Sequence, residues 1–307
     1  MVRKLILSAL LFGSVFGMAP AAERVLFVGN SFTFGAGSPA KFYRPEGVVD
    51  LNGNHWGGVP AMVKVLSQEA GLDWEVFHET IPGANLDRHL REKSELLDQR
   101  WDVVCVQSHS LLDRQNPGDA TLLIGVAGGL VDLWVKQNPE VDLRLVATWS
   151  RADQIYRGEG RWKGTAVGQM AIDLRAGCEA IAAGNDPWVK GVIPVGEAWN
   201  RAFAAGVADD NPYDGISFGE VGLWAWDHYH ASIYGSYLEA LVMFGDVSGL
   251  DVRSFGGAET VAMEMGFPAD LTKTFQRLAF EELRAQKPDR EFSAFEGKAL
   301  KNEVNPE

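Results

Sequence analysis

The sequence predicts an α/β protein, a three-layer α/β/α sandwich on a five-stranded parallel sheet. Two observations predict it. Short apolar runs alternate with longer segments whose apolar residues recur at helical spacing. The short runs are also continuously apolar, as in strands covered on both faces. Right-handed crossovers then place helices on both sides of the sheet.

The elements follow in order. Residues 24–29 are short and apolar, a first strand. Residues 60–70 carry apolar positions at helical spacing, and Pro60 suits a helix start. Residues 74–80 read as a second strand and 86–97 as a helix. Residues 101–107 are a buried strand, with Val103, Val104, Cys105 and Val106 in a row. A long helix over 120–136 precedes a fourth strand at 143–149. A helix over 165–183 precedes a fifth strand at 189–195, and 232–244 forms the last core helix. Residues 248–307 read as an extension, with one amphipathic helix at 271–285 and a charged, loose tail from Pro288.

The N-terminus reads as a targeting segment. Arg3 and Lys4 precede an apolar run from Leu5 to Phe16, too short to span a bilayer comfortably. Ala19-Pro20-Ala21 fits the small-residue pattern before a signal-peptidase cut. The expected organisation is a signal peptide at 1–21, a main domain at 22–247 and the extension at 248–307. The mature protein is then secreted or periplasmic and starts near Ala22; an uncleaved anchor is the alternative. No other stretch approaches the ~18 consecutive apolar residues of a membrane span.

The net charge of −13 repels polyanions, which argues against nucleic acid as a partner. Cys105 and Cys178 are the two cysteines. Export would permit a disulfide, but buried free thiols fit at least as well, since Cys packs as a small hydrophobe.

In parallel sheets, ligands bind beyond the carboxyl ends of the strands. The first strand ends in Gly29-Asn30-Ser31, so Ser31 emerges at that edge. There it is a nucleophile candidate, or simply a helix cap. The second strand is followed by Pro82-Gly83-Ala84-Asn85, where a glycine lets backbone N–H groups approach a ligand. The third ends in Gln107-Ser108-His109-Ser110, and the Gln107 amide can donate two hydrogen bonds. Asp227 and His230 lie three residues apart, a spacing that brings both side chains to one side of a helical turn. An Asp orienting a His that faces a serine is the logic of acyl transfer. Metal binding by Asp227, His228 and His230 is the rival; no His-Glu-x-x-His run or Cys-x-x-Cys pair accompanies it.

Together these blocks resemble the SGNH (GDSL-like) hydrolases. Gly29-Asn30-Ser31 resembles their opening Gly-Asp-Ser, Gly83 their second-block glycine, and Asp227-x-x-His230 their closing block. The resemblance covers roughly residues 23–247 and implies a flavodoxin-like α/β/α fold. It implies a triad of Ser31, His230 and Asp227, and an oxyanion hole of the Ser31 and Gly83 N–H groups. It implies no metal or organic cofactor. Asn30 stands where the family usually has Asp, a change expected to matter little. The third block departs further: Gln107 stands where an Asn donates to the oxyanion, and it is expected to take that role. No Gly-x-Ser-x-Gly elbow occurs, which argues against the α/β-hydrolase fold. Gly35-Ala36-Gly37-Ser38-Pro39-Ala40 only mimics a dinucleotide fingerprint, because Pro39 sits badly in it. His89 reads as a surface histidine.

Ten tryptophans are many for this length. Trp56, Trp149, Trp199, Trp224 and Trp226 fall in or near expected loops. Trp149 and Trp226 are the substrate-stacking candidates, since exposed aromatic rings suit sugar faces; core packing is the alternative. The expected substrate is a small-molecule or polysaccharide ester, with an acetyl ester on a carbohydrate favoured. Two other classes stay open: a non-catalytic carbohydrate-binding module on the same fold, and a metal-dependent hydrolase.

Overall fold

The computed structural model describes residues 21–298. The leader expected over 1–21 lies outside them apart from Ala21, as does the tail at 299–307. Six strands form one sheet: β1 (Glu23–Gly29), β2 (Val49–Asp50), β3 (Trp74–Thr80), β4 (Val103–Val106), β5 (Asp142–Ala147) and β6 (Val189–Pro194). All pairings are parallel, in the order β2-β3-β1-β4-β5-β6. The sheet therefore has six strands rather than the five expected. The extra one, β2, pairs two residues with Phe77 and His78 at the edge, too few to carry a periodic signal. The chain steps outward from β1 to β3, then returns across β1 to β4. Their carboxyl ends flank the switch point where such folds bind ligands.

Neighbouring β1 residues feed opposite cores, as a period of two requires. Leu26 and Val28 lie with Val104 and Leu145 under α2 (Leu86–Leu97), α3 (Thr121–Gln137) and α4 (Gln169–Ala183). Val25 and Phe27 lie with Cys105 and Val146 on the other face. That face is covered by α1 (Gly58–Glu69), α5 (Val195–Ala204), α6 (Ile233–Ser248), α7 (Thr260–Glu264) and α8 (Ala269–Gln286). Cys105 and Cys178 are both free and sit in opposite cores. The helix expected at 271–285 is α8, which packs on α5 and α6 and buries Phe275, Leu278 and Leu283. Among the described residues no helix is long and apolar enough to cross a membrane.

α6 packs against α1, α5 and α8, and an acidic residue near its middle is buried. Glu239 is buried, and its Oε2 has no hydrogen-bond partner among the described residues. Burial pushes its carboxyl well above the ordinary range. Burial likewise pushes Glu197 and Glu259 up to about 7. A carboxyl whose folded pKa is raised contributes fully below its unfolded value of about 4.3 and loses that contribution as pH rises. Stability should therefore decline from mildly acidic to mildly alkaline pH. Glu239→Gln should flatten part of that decline, raising Tm more at pH 8 than at pH 5. Thermal melts giving an equal shift at both pH values would show that Glu239 does not hold a proton in the folded state.

Candidate active site

Three loops at the carboxyl edge and one before α6 build the site. Gly29 closes β1, and a side chain there would collide with Thr33 Oγ1 and crowd Gln107 Oε1. The glycine is needed for space. Asn30 is buried, and its Oδ1 accepts the Phe32 N–H at 3.1 Å. Its Nδ2 donates to the carbonyls of Ala84 at 2.9 Å and Ser108 at 3.4 Å, tying the first loop to the second and third. A carboxylate could make neither donation. The Asn-for-Asp change, expected to matter little, is thus part of how this site is wired. Ser31 follows, half-buried. Its N–H donates to no acceptor among the described residues.

The second loop turns at Gly83, whose φ of +64° favours glycine. The Gly83 carbonyl accepts from Arg114 Nη2 at 2.5 Å, and its N–H, like that of Ser31, has no acceptor among the described residues. Asn85 caps α2 through the Leu86 N–H at 2.9 Å and also accepts the His109 N–H at 3.1 Å.

The third loop gives Gln107 a different job from the one expected. Its Oε1 accepts the Asn30 N–H at 3.0 Å and the Thr33 hydroxyl at 3.1 Å, and its Nε2 donates to the Ser108 carbonyl. The side chain is 2% exposed and does not border the cavity. Its amide is occupied in positioning the turn that carries Ser31. His109 does border the cavity. Burial, then Arg114 and Arg151, push its pKa down to about 4, so the ring is neutral near pH 7. Its Nδ1 accepts the Leu111 N–H at 3.2 Å, which leaves the proton on Nε2.

The fourth loop is a tight excursion between Trp224 and Ala231, which pair as an antiparallel bridge. The Ala225 N–H donates to the His230 carbonyl at 2.7 Å across its base. Asp227 and His230 therefore meet in a turn, not on the helical turn their spacing suggested. Asp227 Oδ1 accepts the N–H groups of Tyr229 at 3.2 Å and His230 at 3.0 Å, and Oδ2 accepts His230 Nδ1–H at 2.6 Å. Burial works to raise the Asp227 carboxyl, but the His230 ring and the two backbone N–H groups outweigh it and hold it below its usual range. His230 is 7% exposed, and its Nε2 has no partner among the described residues. Two residues later Ser232 caps α6, accepting the Tyr234 and Gly235 N–H groups at 3.2 and 3.3 Å. Gly235 lies against the Trp199 ring and the Leu223 carbonyl, where a side chain would not fit. His230, Ser232 and Gly235 thus supply a cavity-lining histidine, a helix cap and a close packing contact.

Ser31, Gly83 and His230 line one cavity of about 780 Å³. No hydrogen bond joins Ser31 to the His230 ring in this structure. Such contacts are often loose before substrate binds. Trp149 corrects an expectation: it is wholly buried, stacked on Phe32 at 4.5 Å and Trp199 at 4.4 Å, and cannot touch a sugar. It supports the site from beneath, donating from Nε1 to the Tyr229 carbonyl at 2.9 Å. Trp199 and Trp224 are buried too. Trp226 is 80% exposed beside Asp227 but outside the cavity, whereas Trp56 lines it. His89, read as a surface residue, is wholly buried and bonded to Glu79. Among the described residues no three His, Cys, Asp or Glu side chains gather in a metal-holding group. The His228 ring packs on Tyr213 at 4.4 Å instead.

Lys41, Arg114 and Arg151 also line the cavity and went unnoticed in the sequence. Arg151 lies shortly after β5, so the rule that site residues follow strands could have found it.

No protein-family model matches the sequence, and no curated protein matches it. The structure is similar to that of a DUF4886 family protein from Bacteroides uniformis. The TM-score is 0.59 and the identity 17%, over 89% of this chain and 98% of that one. It also resembles a family 3 carbohydrate esterase from Clostridium thermocellum, with TM-score 0.46 and 16% identity over 73% and 94% of the two chains. A third likeness is to phospholipase A1 from Streptomyces albidoflavus, with TM-score 0.45 and 15% identity over 72% and 98%. At these identities the likeness is one of fold.

Proposed function

We propose that this chain is an exported serine esterase that hydrolyses a carboxylic ester through an acyl-enzyme. The observation that carries the reading is that Ser31 and His230, the latter held by Asp227, line the same cavity. Ser31 Oγ attacks the ester carbonyl as His230 Nε2 takes its proton. Asp227 keeps Nδ1 protonated and stabilises the imidazolium. The carbonyl oxygen, now negative, moves to the Ser31 and Gly83 N–H groups, which have no other acceptor. The C–O bond then breaks, and His230 returns the proton to the departing alcohol. Water, activated by the same histidine, cleaves the acyl-enzyme and releases the acid. Gln107 serves as a positioning residue, holding the Asn30 peptide and Thr33 in place behind the nucleophile. Among possible esters, an acetyl ester on a carbohydrate suits the aromatic surroundings: Trp56 and Tyr229 border the cavity, and Trp226 stands exposed next to Asp227.

An organophosphate such as diisopropyl fluorophosphate tests this directly, because it phosphorylates an activated serine far faster than an ordinary hydroxyl. The expected result is one covalent adduct, on Ser31, with complete loss of turnover of a chromogenic acetyl ester. Turnover that survives labelling, or an adduct on another residue, would remove Ser31 from its role. Turnover that disappears on exhaustive chelation would restore the metal-dependent reading.

A further inference from the structure

The cavity wall has a charge opposite to that of the chain. Acidic residues outnumber basic ones by 41 to 28 overall. Yet none of the residues lining the cavity is acidic, and three of them, Lys41, Arg114 and Arg151, are cations. Arg151 is largely balanced by Asp153 at 2.7 Å. The other two differ. Lys41 and Arg114 have no carboxylate within ion-pair distance among the described residues. Lys41 Nζ sits 4.2 Å from the centre of the Trp56 ring. Arg114 reaches only the Gly83 carbonyl. Its guanidinium has five N–H donors, so most of them remain free for a ligand.

We infer that the substrate carries a carboxylate besides its scissile ester, and that Lys41 and Arg114 bind it. The inference rests on the esterase reading for what happens next, but not for the binding itself. A net charge of −13 repels an anion at long range. A cavity free of acids and edged by unpaired cations reverses that repulsion where it counts. The Arg114 fork suits a carboxylate oxygen pair, while Lys41 acts as a point charge beside an aromatic wall. His109, kept neutral first by burial and then by Arg114 and Arg151, adds no acidic group to this wall. The hydrolysis itself is unchanged: water adds across the acyl C–O bond and yields an acid and an alcohol, the spare carboxylate leaving on one or the other.

Two matched ester pairs separate the acyl side from the alcohol side. The first is 4-nitrophenyl hydrogen adipate against 4-nitrophenyl methyl adipate. The second is 4-acetoxybenzoate against its methyl ester. Turnover is measured on the wild type and on Lys41→Gln, Arg114→Gln and the double variant, and Kd for the same compounds is measured in a Ser31→Ala background. The charged member of at least one pair should have the higher kcat/KM and the lower Kd. Both preferences should fall about tenfold in the double variant, the order expected for losing two partly exposed attractive charges. Dividing charged by neutral removes any general effect of Arg114 on the Gly83 loop. Equal handling of both members in both pairs, or a preference the variants leave intact, overturns the inference while turnover of the neutral esters upholds the esterase. A charge preference in Kd without turnover of any ester leaves the carboxylate site standing and removes the esterase.

Discussion

Ser31→Ala should lower kcat for a short-chain ester by about a millionfold, the order lost when the serine or histidine of a comparable triad is removed. His230→Ala should lose as much, because the proposed mechanism uses its unpartnered Nε2 as the base, and a serine hydroxyl is a weak nucleophile without one. The double variant should be no worse than either single one, since the two residues act as a unit. Asp227→Asn should cost about 10⁴ by favouring the wrong histidine tautomer, with the turn still held by its remaining side-chain oxygen. Gln107→Ala supplies the contrast. It strips an acceptor from the buried Asn30 N–H and the Thr33 hydroxyl, so Tm should fall and kcat should fall partially as the Ser31 turn loosens. Steady-state kinetics and melting curves on the same preparations decide the matter. If Gln107→Ala lost about 10²–10³ in kcat with Tm unmoved, it would behave as a direct oxyanion donor. A Ser31→Ala protein that kept wild-type kcat would end the serine mechanism.

The three-layer order was legible because it rests on long, regular signals. Trp74–Thr80 and Leu86–Leu97 match their expected bounds, since each is an uninterrupted pattern with Pro82-Gly83 between them. β2 was illegible because two edge residues have no period. α5 (Val195–Ala204) was not expected at all; its first residue follows β6 directly and reads as one more strand residue. At the site, the blocks bearing Ser31 and Gly83 were visible because each follows a strand, and the Asp227–His230 pair because of its three-residue spacing just before α6. What the neighbouring side chains do was not visible. Trp149 follows β5 as a mouth residue should, but its ring turns inward between Phe32 and Trp199. Gln107 has the right chemistry for an oxyanion donor, but the Asn30 N–H and the Ser108 carbonyl occupy both ends of its amide. Direction and occupancy are tertiary facts, set by which loops happen to meet.

Asp246→Ala should lower stability by about 3–5 kcal/mol, the usual cost of leaving a buried charge without its partner. Asp246 is wholly buried near the end of α6, the helix whose first turn Ser232 caps just after His230. Its carboxylate pairs with Arg144 of β5 and, at 2.6 Å, with Lys287 beyond α8. Its backbone carbonyl accepts from Arg290 Nη1 at 2.7 Å. One residue thus joins the sheet, α6 and the C-terminal segment. Removal leaves Arg144 with Asp142, at 2.5 Å, as its remaining carboxylate, and leaves Nη1 with only the backbone carbonyl of residue 246, at 2.6 Å. In a domain of this size the loss should appear as a fall in Tm of about 10 °C. Replacing both partners is the informative control: Arg144→Met with Asp246→Leu should recover much of the loss, because no charge is then stranded. Lys287, partly exposed on a flexible stem, can turn to water. Denaturant melts of the three proteins give the comparison. A double variant as unstable as Asp246→Ala would mean that the pair itself, and not the stranded Arg144, carries the stability of this junction.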